Sequence, residues 1–256
     1  MKLHAYGCSW TQGESSDLEY EKSLPTIEEK IEFRKNNSWP KHIGDMLGVD
    51  HINNGICGNS NNNIFNKIVS DVQWGVIKEN DLAMIMWSSS LRDVVPFLPN
   101  SEWVSWSVKH LMESPQKFIN SYKIENQKYD DFLGEFKSLF ITEMFNQNYY
   151  NIVNQNYIIF IQKLLESHNI KYIMCDSFEP MLIDLNKKDD ITHIIDNTNY
   201  WGYRKQIFRD FLIDTNRLDI WEHQDVTFKT RATQHPNKHG YKLIADELYK
   251  FILQVI

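Results

Sequence analysis

Two side chains at opposite ends of the sequence have the chemistry of a nucleophile and a base. Ser9 lies in Gly7-Cys8-Ser9-Trp10-Thr11-Gln12-Gly13-Glu14, directly after a short mixed segment, Lys2 to Tyr6, that reads as a strand. A serine in a glycine-flanked turn after a strand is presented at the carboxyl end of a sheet, the edge where open α/β sheets bind ligands. Its hydroxyl is a weak nucleophile until a base takes the proton. His235 lies in His235-Pro236-Asn237-Lys238-His239-Gly240, just before the last helical stretch. An imidazole there titrates near neutral pH and can take that proton. Each segment alone is also what an ordinary turn looks like, because Gly, Ser, Pro and Asn dominate turns for backbone reasons. The pair says more than either member.

A scaffold must bring these two together. Leu82 to Trp87 (LAMIMW) is a continuous apolar run, as expected of a parallel strand buried on both faces, and it ends abruptly at Ser88-Ser89-Ser90. Val49 to Asn53 and Lys171 to Cys175 read as further strands. Helices are expected over Thr26 to Lys35, Trp39 to Leu47, Ile64 to Val76, Tyr150 to His168, Tyr203 to Leu212 and Lys238 to Val255. In the second of these, Ser38 is placed as a cap, Pro40 sits where its missing N–H costs little, and Gly48 is placed as a stop. Ile64, Ile68, Val72 and Val76 recur at helical spacing. Strands alternating with helices predict a mostly parallel sheet. Residues 94 to 150 are aromatic and irregular, and are expected to hold helices and a lid.

Between the two ends lies Asn53-Asn54-Gly55-Ile56-Cys57-Gly58-Asn59-Ser60, a polar loop after the second strand. In a parallel sheet this loop, the serine run and the Ser9 turn gather at one edge. The order and spacing of these blocks resemble the SGNH hydrolases, also called GDSL-type esterases and lipases. Gly7-Cys8-Ser9-Trp10-Thr11 is similar to the nucleophile block, and the Gly58 loop to the second block, where a glycine N–H helps bind the oxyanion. Leu82 to Ser90 stands where the third block, G-x-N-D, belongs. His235-Pro236-Asn237, with Gly240, Tyr241 and Ala245, is similar to the last. The blocks also resemble the form of this family that is frequent in bacteriophage genomes, which implies a viral-encoded chain as an option.

The chain departs from the family pattern twice. The aspartate expected three residues before the histidine falls at Ala232. Alanine cannot orient an imidazole, and in Ser-His-Asp systems loss of the acid costs about 10⁴ in rate. Some members of the family rely on a backbone carbonyl instead, and Glu222 and Asp225 are nearby acids in the sequence. The oxyanion asparagine of the third block is also missing. Ser89 or Ser90 is the candidate donor in its place, and removing one such donor typically costs about 10²–10³ in kcat.

The remaining residues say less. Arg92 follows the serine run and suits a carboxylate or phosphate on a substrate, or an ion pair with an acid such as Asp93. Trp10 and Asn59 are candidate substrate contacts beside Ser9 and Gly58. Trp103 and Trp106 suit stacking on a sugar or packing in a core or lid. Asp184, Asp189 and Asp190 are interleaved with Lys187 and Lys188, as on a solvated loop. His4, His42, His51, His110, His168, His193 and His223 show no ligand spacing, so no metal and no cofactor are expected. Cys8, Cys57 and Cys175 are odd in number and widely spaced, which fits a reducing compartment.

The chain has 256 residues, with 27 Lys plus Arg against 34 Asp plus Glu, a formal net charge of −7. That acidic balance argues against a general nucleic-acid binder. No run reaches the roughly 18 apolar residues that span a bilayer, and the N-terminus lacks the apolar core of a secretory signal. A cytoplasmic protein is expected, with no membrane partner and an oligomeric state left open.

The expectation is therefore one SGNH hydrolase-like domain over 1–256. Its fold would be three-layer α/β/α, flavodoxin-like, with a central parallel sheet of about five strands and a divergent insertion around 94–150. The implied function is a serine ester hydrolase with Ser9 as nucleophile, His235 as base, and an oxyanion hole of Ser9, Gly58, Ser89 and Ser90. A small-molecule or glycan ester is the expected substrate, in particular an O-acetyl group on carbohydrate. Two alternatives stand beside it: a binding or structural module that has lost turnover, and an acyltransferase.

Overall fold

The computed structural model describes residues 1–90, 92–96, 103–107, 147–181, 191–222 and 234–256. Its centre is a parallel sheet of four strands, β1 (Leu3–Gly7), β2 (His51–Gly55), β3 (Leu82–Trp87) and β6 (Lys171–Asp176), in the order β2-β1-β3-β6. In chain order the helices are α1 (Ser9–Gln12), α2 (Leu18–Ser23), α3 (Ile27–Asn36), α4 (Trp39–Leu47), α5 (Asn61–Gln73), α6 (Gln147–Ser167), α7 (Phe208–Asp214) and α8 (Lys238–Val255).

The sheet is covered on both faces, and the pleat sorts the residues. Leu3, Ala5, Leu82, Met84, Met86, Ile173 and Cys175 face a core closed by α4 and α8, through Trp39, Ile43, Tyr241, Ile244, Leu248 and Ile252. Tyr6, Ala83, Ile85, Trp87, Tyr172 and Met174 face a second core closed by α5 and α6, through Ile64, Ile68, Ile158, Ile161 and Leu165. Every residue of β3 is buried, which is why its sequence is apolar without alternation. Each large apolar side chain taken fully from water contributes roughly 1.5–3 kcal/mol, so these two layers hold the sheet edge rigid.

The expected fifth parallel strand is not found among the described residues. Its place beside β6 is taken by a single bridge, Met174 to Tyr200, closed by Met174 N to Asn199 O (2.8 Å) and Trp201 N to Met174 O (2.8 Å). The Tyr200 hydroxyl donates to Asp176 Oδ1 at 2.7 Å and pins this contact. The chain then turns away, with Lys205 N and Gln206 N both bonded to Gly202 O. One hydrogen-bonded residue does not extend into a ladder.

The 94–150 segment also departs from expectation at its start. β4 (Arg92–Pro96) and β5 (Trp103–Ser107) form an antiparallel pair, in the register Arg92↔Ser107 to Pro96↔Trp103. Val94, Val95 and Val104 are β-branched and favour this extended pairing over a helix. The helices and lid expected over 108–146 lie outside the described residues. None of the described helices is long and apolar enough to cross a membrane.

Candidate active site

The loops after β1, β2 and β3 meet at the carboxyl edge of the sheet. The β1 loop turns at once into α1, and Gly7 is required by close approach: a Cβ there would lie 2.0 Å from Thr11 Oγ1. Asn53 locks the turn from β2. Its Nδ2 donates to Thr11 O (2.7 Å) and Ser38 Oγ (2.9 Å), and its Oδ1 accepts from Gly55 N (2.8 Å). Ser9 is thereby held as the first residue of α1, where the N–H has no intrahelical acceptor.

His235 arrives from the other end of the chain on an equally tied loop. Glu222 N donates to His235 O at 3.1 Å, and Pro236 bridges Trp221. Asn237 caps α8 through His239 N and Gly240 N, while its Nδ2 donates to Asp219 O and Trp221 O. The result is His235 Nε2 2.8 Å from Ser9 Oγ. Ser9 is 3% exposed, and the imidazole is about one quarter exposed.

Burial is the largest influence on His235 and pushes its pKa below the ordinary imidazole value. Glu14 and Glu222 oppose that shift, while Arg92 and Arg34 add to it. The ring is therefore neutral at pH 7, the form that accepts the serine proton.

Glu14 was not among the expected site residues, although it closes the Ser9 segment. Its Oε2 lies 3.2 Å from His235 Nε2, the nitrogen that faces Ser9. Tyr241 Oη donates to Glu14 O at 2.7 Å, tying the acid's backbone to α8. The Cys57 thiol donates to Glu14 Oε2 at 3.0 Å, and Arg34 Nη1 stands 3.9 Å from Oε1. Burial, with Glu14 beside it, pushes the Cys57 thiol up to about 12, so it stays protonated. A carboxylate against Nε2 repels the lone pair of a neutral imidazole and attracts an imidazolium. The only sequence sign of Glu14 was its place in the nucleophile block.

The other expected residues are placed as follows. Gly58 is exposed at φ +75, in a turn closed by Asn59 N to Ile56 O at 3.1 Å. A Cβ on it would meet nothing within 4 Å, so the positive φ alone calls for glycine. Asn59 is buried, and its Nδ2 donates to Gly7 O at 3.2 Å. Trp10 is 2% exposed and belongs to the α4/α8 core, with its ring 6.1 Å from that of Phe178. The Ser89 hydroxyl donates to Glu179 Oε2. Ser90 is buried, and its carbonyl accepts from Asn154 Nδ2 at 3.2 Å. Arg92 lies with its guanidinium carbon 4.8 Å from the centre of the Phe178 ring. Ala232 and Asp225 lie outside the described residues, as do Asp184, Asp189 and Asp190.

A second residue absent from the expected set is Asn61, the first residue of α5. Its Oδ1 accepts from Ser88 N (2.8 Å) and its Nδ2 donates to Ser89 O (3.1 Å). It clamps the turn that follows β3. No group of three or more metal-binding side chains occurs among the described residues.

No family model matches the chain, and no curated protein matches it. Solved structures do. The chain is similar to a putative lipolytic protein of the G-D-S-L family from Desulfitobacterium hafniense DCB-2, with 13% identity, 98% of each chain covered and a TM-score of 0.46. It is similar to a psychrotrophic esterase from Pseudoalteromonas sp. inhibited by monoethylphosphonate, with 11% identity, 99% of this chain and 97% of that one covered, and a TM-score of 0.46. A lipolytic protein of the G-D-S-L family from Veillonella parvula DSM 2008 follows, with 14% identity, 98% and 97% covered, and a TM-score of 0.35. None is close enough to carry a function across.

Proposed function

We propose that the protein is a serine ester hydrolase working through an acyl-enzyme. The observation that carries this reading is the 2.8 Å contact between Ser9 Oγ and His235 Nε2. As Oγ bonds to the ester carbonyl carbon, its proton passes to Nε2. The same proton then goes to the leaving alcohol oxygen as the C–O bond breaks, and acyl-Ser9 remains. Water attacks that ester with His235 again as base, which frees the acid and Ser9. The backbone N–H groups of Ser9 and Gly58 are the proposed donors to the oxyanion.

Glu14 gives this dyad the charge that Ala232 cannot. In the resting site its carboxylate faces the lone pair of Nε2. In the transition state Nε2 carries the proton, and the same carboxylate stabilises the imidazolium. An interaction that improves from ground state to transition state raises kcat. We assign the substrate as an O-acetyl ester on carbohydrate. The tryptophans of β5, on the strand paired with the one that Arg92 opens, are what favours a sugar.

The test is labelling with a fluorophosphonate probe. Wild type is expected to label, and Ser9→Ala and His235→Ala are not. A folded wild type that fails to label would sink the hydrolase reading and favour a binding module on the same scaffold. Hydrolysis by Ser9→Ala at the wild-type rate would sink the assignment of the nucleophile.

A further inference from the structure

Arg92 opens β4 and is fixed from its backbone, where its N–H donates to Ser89 O at 3.1 Å. Its guanidinium lies on Phe178, 4.8 Å from the ring centre, and Phe178 in turn neighbours Trp10, the residue after the nucleophile. Arg92 also bears electrostatically on His235, so its charge is felt at the dyad. Yet Nη1 of Arg92 is buried and has no hydrogen-bond partner. Among the described residues no carboxylate pairs with it. Glu179, next to Phe178 in the sequence, accepts the Ser89 hydroxyl.

A charged donor taken from water without an acceptor is a cost that native structures avoid. Where one persists beside a reactive centre, a ligand that brings the acceptor relieves it. One face of this guanidinium is covered by an aromatic ring. Its N–H groups lie in the plane of the guanidinium, along its edge, and Nη1 among them lacks an acceptor. That edge matches the two coplanar oxygens of a carboxylate.

We infer that Arg92 is a substrate subsite for a carboxylate, and that the ester cleaved at Ser9 is carried by an acidic sugar, as an O-acetylated uronic acid is. The inference rests on the hydrolase reading above and deepens it. The acetyl group would sit between Ser9 and the oxyanion donors. The sugar carboxylate would pair with the edge of the guanidinium beside the Phe178 ring, supplying the acceptor that Nη1 lacks.

The experiment compares acetate release from O-acetylated glucuronate with release from O-acetylated glucose, in wild type, Arg92→Gln and Arg92→Lys. The readout is the ratio of kcat/KM for the two sugars, which cancels any general effect of the substitution. Wild type is expected to favour the glucuronate ester by about tenfold or more. Arg92→Gln should bring the ratio close to one, with Arg92→Lys between them because it keeps the charge and loses the fork. A wild-type ratio near one, or a ratio unmoved by Arg92→Gln, would overturn the subsite. Binding of both sugars to Ser9→Ala, with and without Arg92→Gln, is measured by calorimetry in parallel. If neither ester is hydrolysed but glucuronate binding still depends on Arg92, the subsite stands and the hydrolase reading falls. If hydrolysis occurs and neither rate nor binding depends on the carboxylate, the reverse holds.

Discussion

The loops that leave β1 and β3 start from neighbouring strands, end at the same edge, and are both rich in serine. They spend those serines differently. After β1 one hydroxyl, Ser9, is left facing a base, while the turn beneath it is held by Gly7 and by the carboxamide of Asn53. After β3 the backbone groups and the Ser89 hydroxyl are used on the protein itself, while the buried Ser88 hydroxyl has no hydrogen-bond partner among the described residues. Ser88 N and Ser89 O are taken by Asn61, Ser90 O by Asn154, and the Ser89 hydroxyl by Glu179. A reactive hydroxyl requires that neighbours other than the base leave it alone, whereas a wall requires the opposite.

The largest effect expected from this contrast is at Ser9. Ser9→Ala should lower ester hydrolysis by about 10⁴-fold or more, with His235→Ala nearly as severe and the double variant little worse, because the two act as a unit. Additive losses in the double variant would separate them. At the β3 loop the large effect should be on stability instead. Asn61 is buried and satisfies backbone groups on both Ser88 and Ser89, so Asn61→Ala leaves several polar groups unpaired. A loss of about 2–4 kcal/mol in urea unfolding is expected. A loss under about 1 kcal/mol would show that the β3 loop does not depend on its clamp.

Glu14 sharpens the β1 side. Glu14→Gln keeps the shape and removes the charge that stabilises the imidazolium, so kcat should fall about tenfold to a hundredfold. The pH profile supplies the sign. In the proposed mechanism hydrolysis needs neutral His235, so the rate is expected to rise with pH through a pKa below the ordinary imidazole value. Glu14 pushes that pKa up. Its removal should move the acid limb to lower pH, while Arg92→Gln, which removes a cation that pushes it down, should move the limb to higher pH. A limb that stays in place in Glu14→Gln would reduce the acid to a structural support.

What the sequence showed and hid follows from the range of the interactions. β3 was legible because burial on both faces leaves a run with no polar residue. α8 was legible from its periodic apolar face and α4 from Pro40 and Gly48 at its ends, although Ser38, expected as the cap of α4, makes no side-chain cap bond and donates its hydroxyl to Lys35 O instead. The Ser9 and His235 turns stood out by residue type, but their 2.8 Å contact joins residues 226 apart. Glu14 and Asn61 act through tertiary distances that no local pattern records. The fifth strand, not found among the described residues, is of the same kind, since Tyr200 makes one bridge and the turn at Gly202 ends it. The start of the 94–150 segment, expected to be helical, pairs instead as β4 with β5.

The smallest effect is the one most able to break the contrast between the loops. Ser89 stood as a substitute oxyanion donor, and its hydroxyl hydrogen is directed at Glu179. If it also served the oxyanion, Ser89→Ala would lower kcat by about 10²–10³ and leave KM nearly unchanged. If the hydroxyl belongs to the wall, kcat should stay within about threefold and stability should fall by about 1 kcal/mol, the net worth of one hydrogen bond to a charged group left partly unpaired. Ser89→Thr is the control, because it keeps the hydroxyl. It should restore the stability in the second case and the rate in the first. A hundredfold loss in Ser89→Ala with Thr rescue would make both loops catalytic, and the oxyanion would then be held from β3 as well as from the backbone around Ser9 and Gly58.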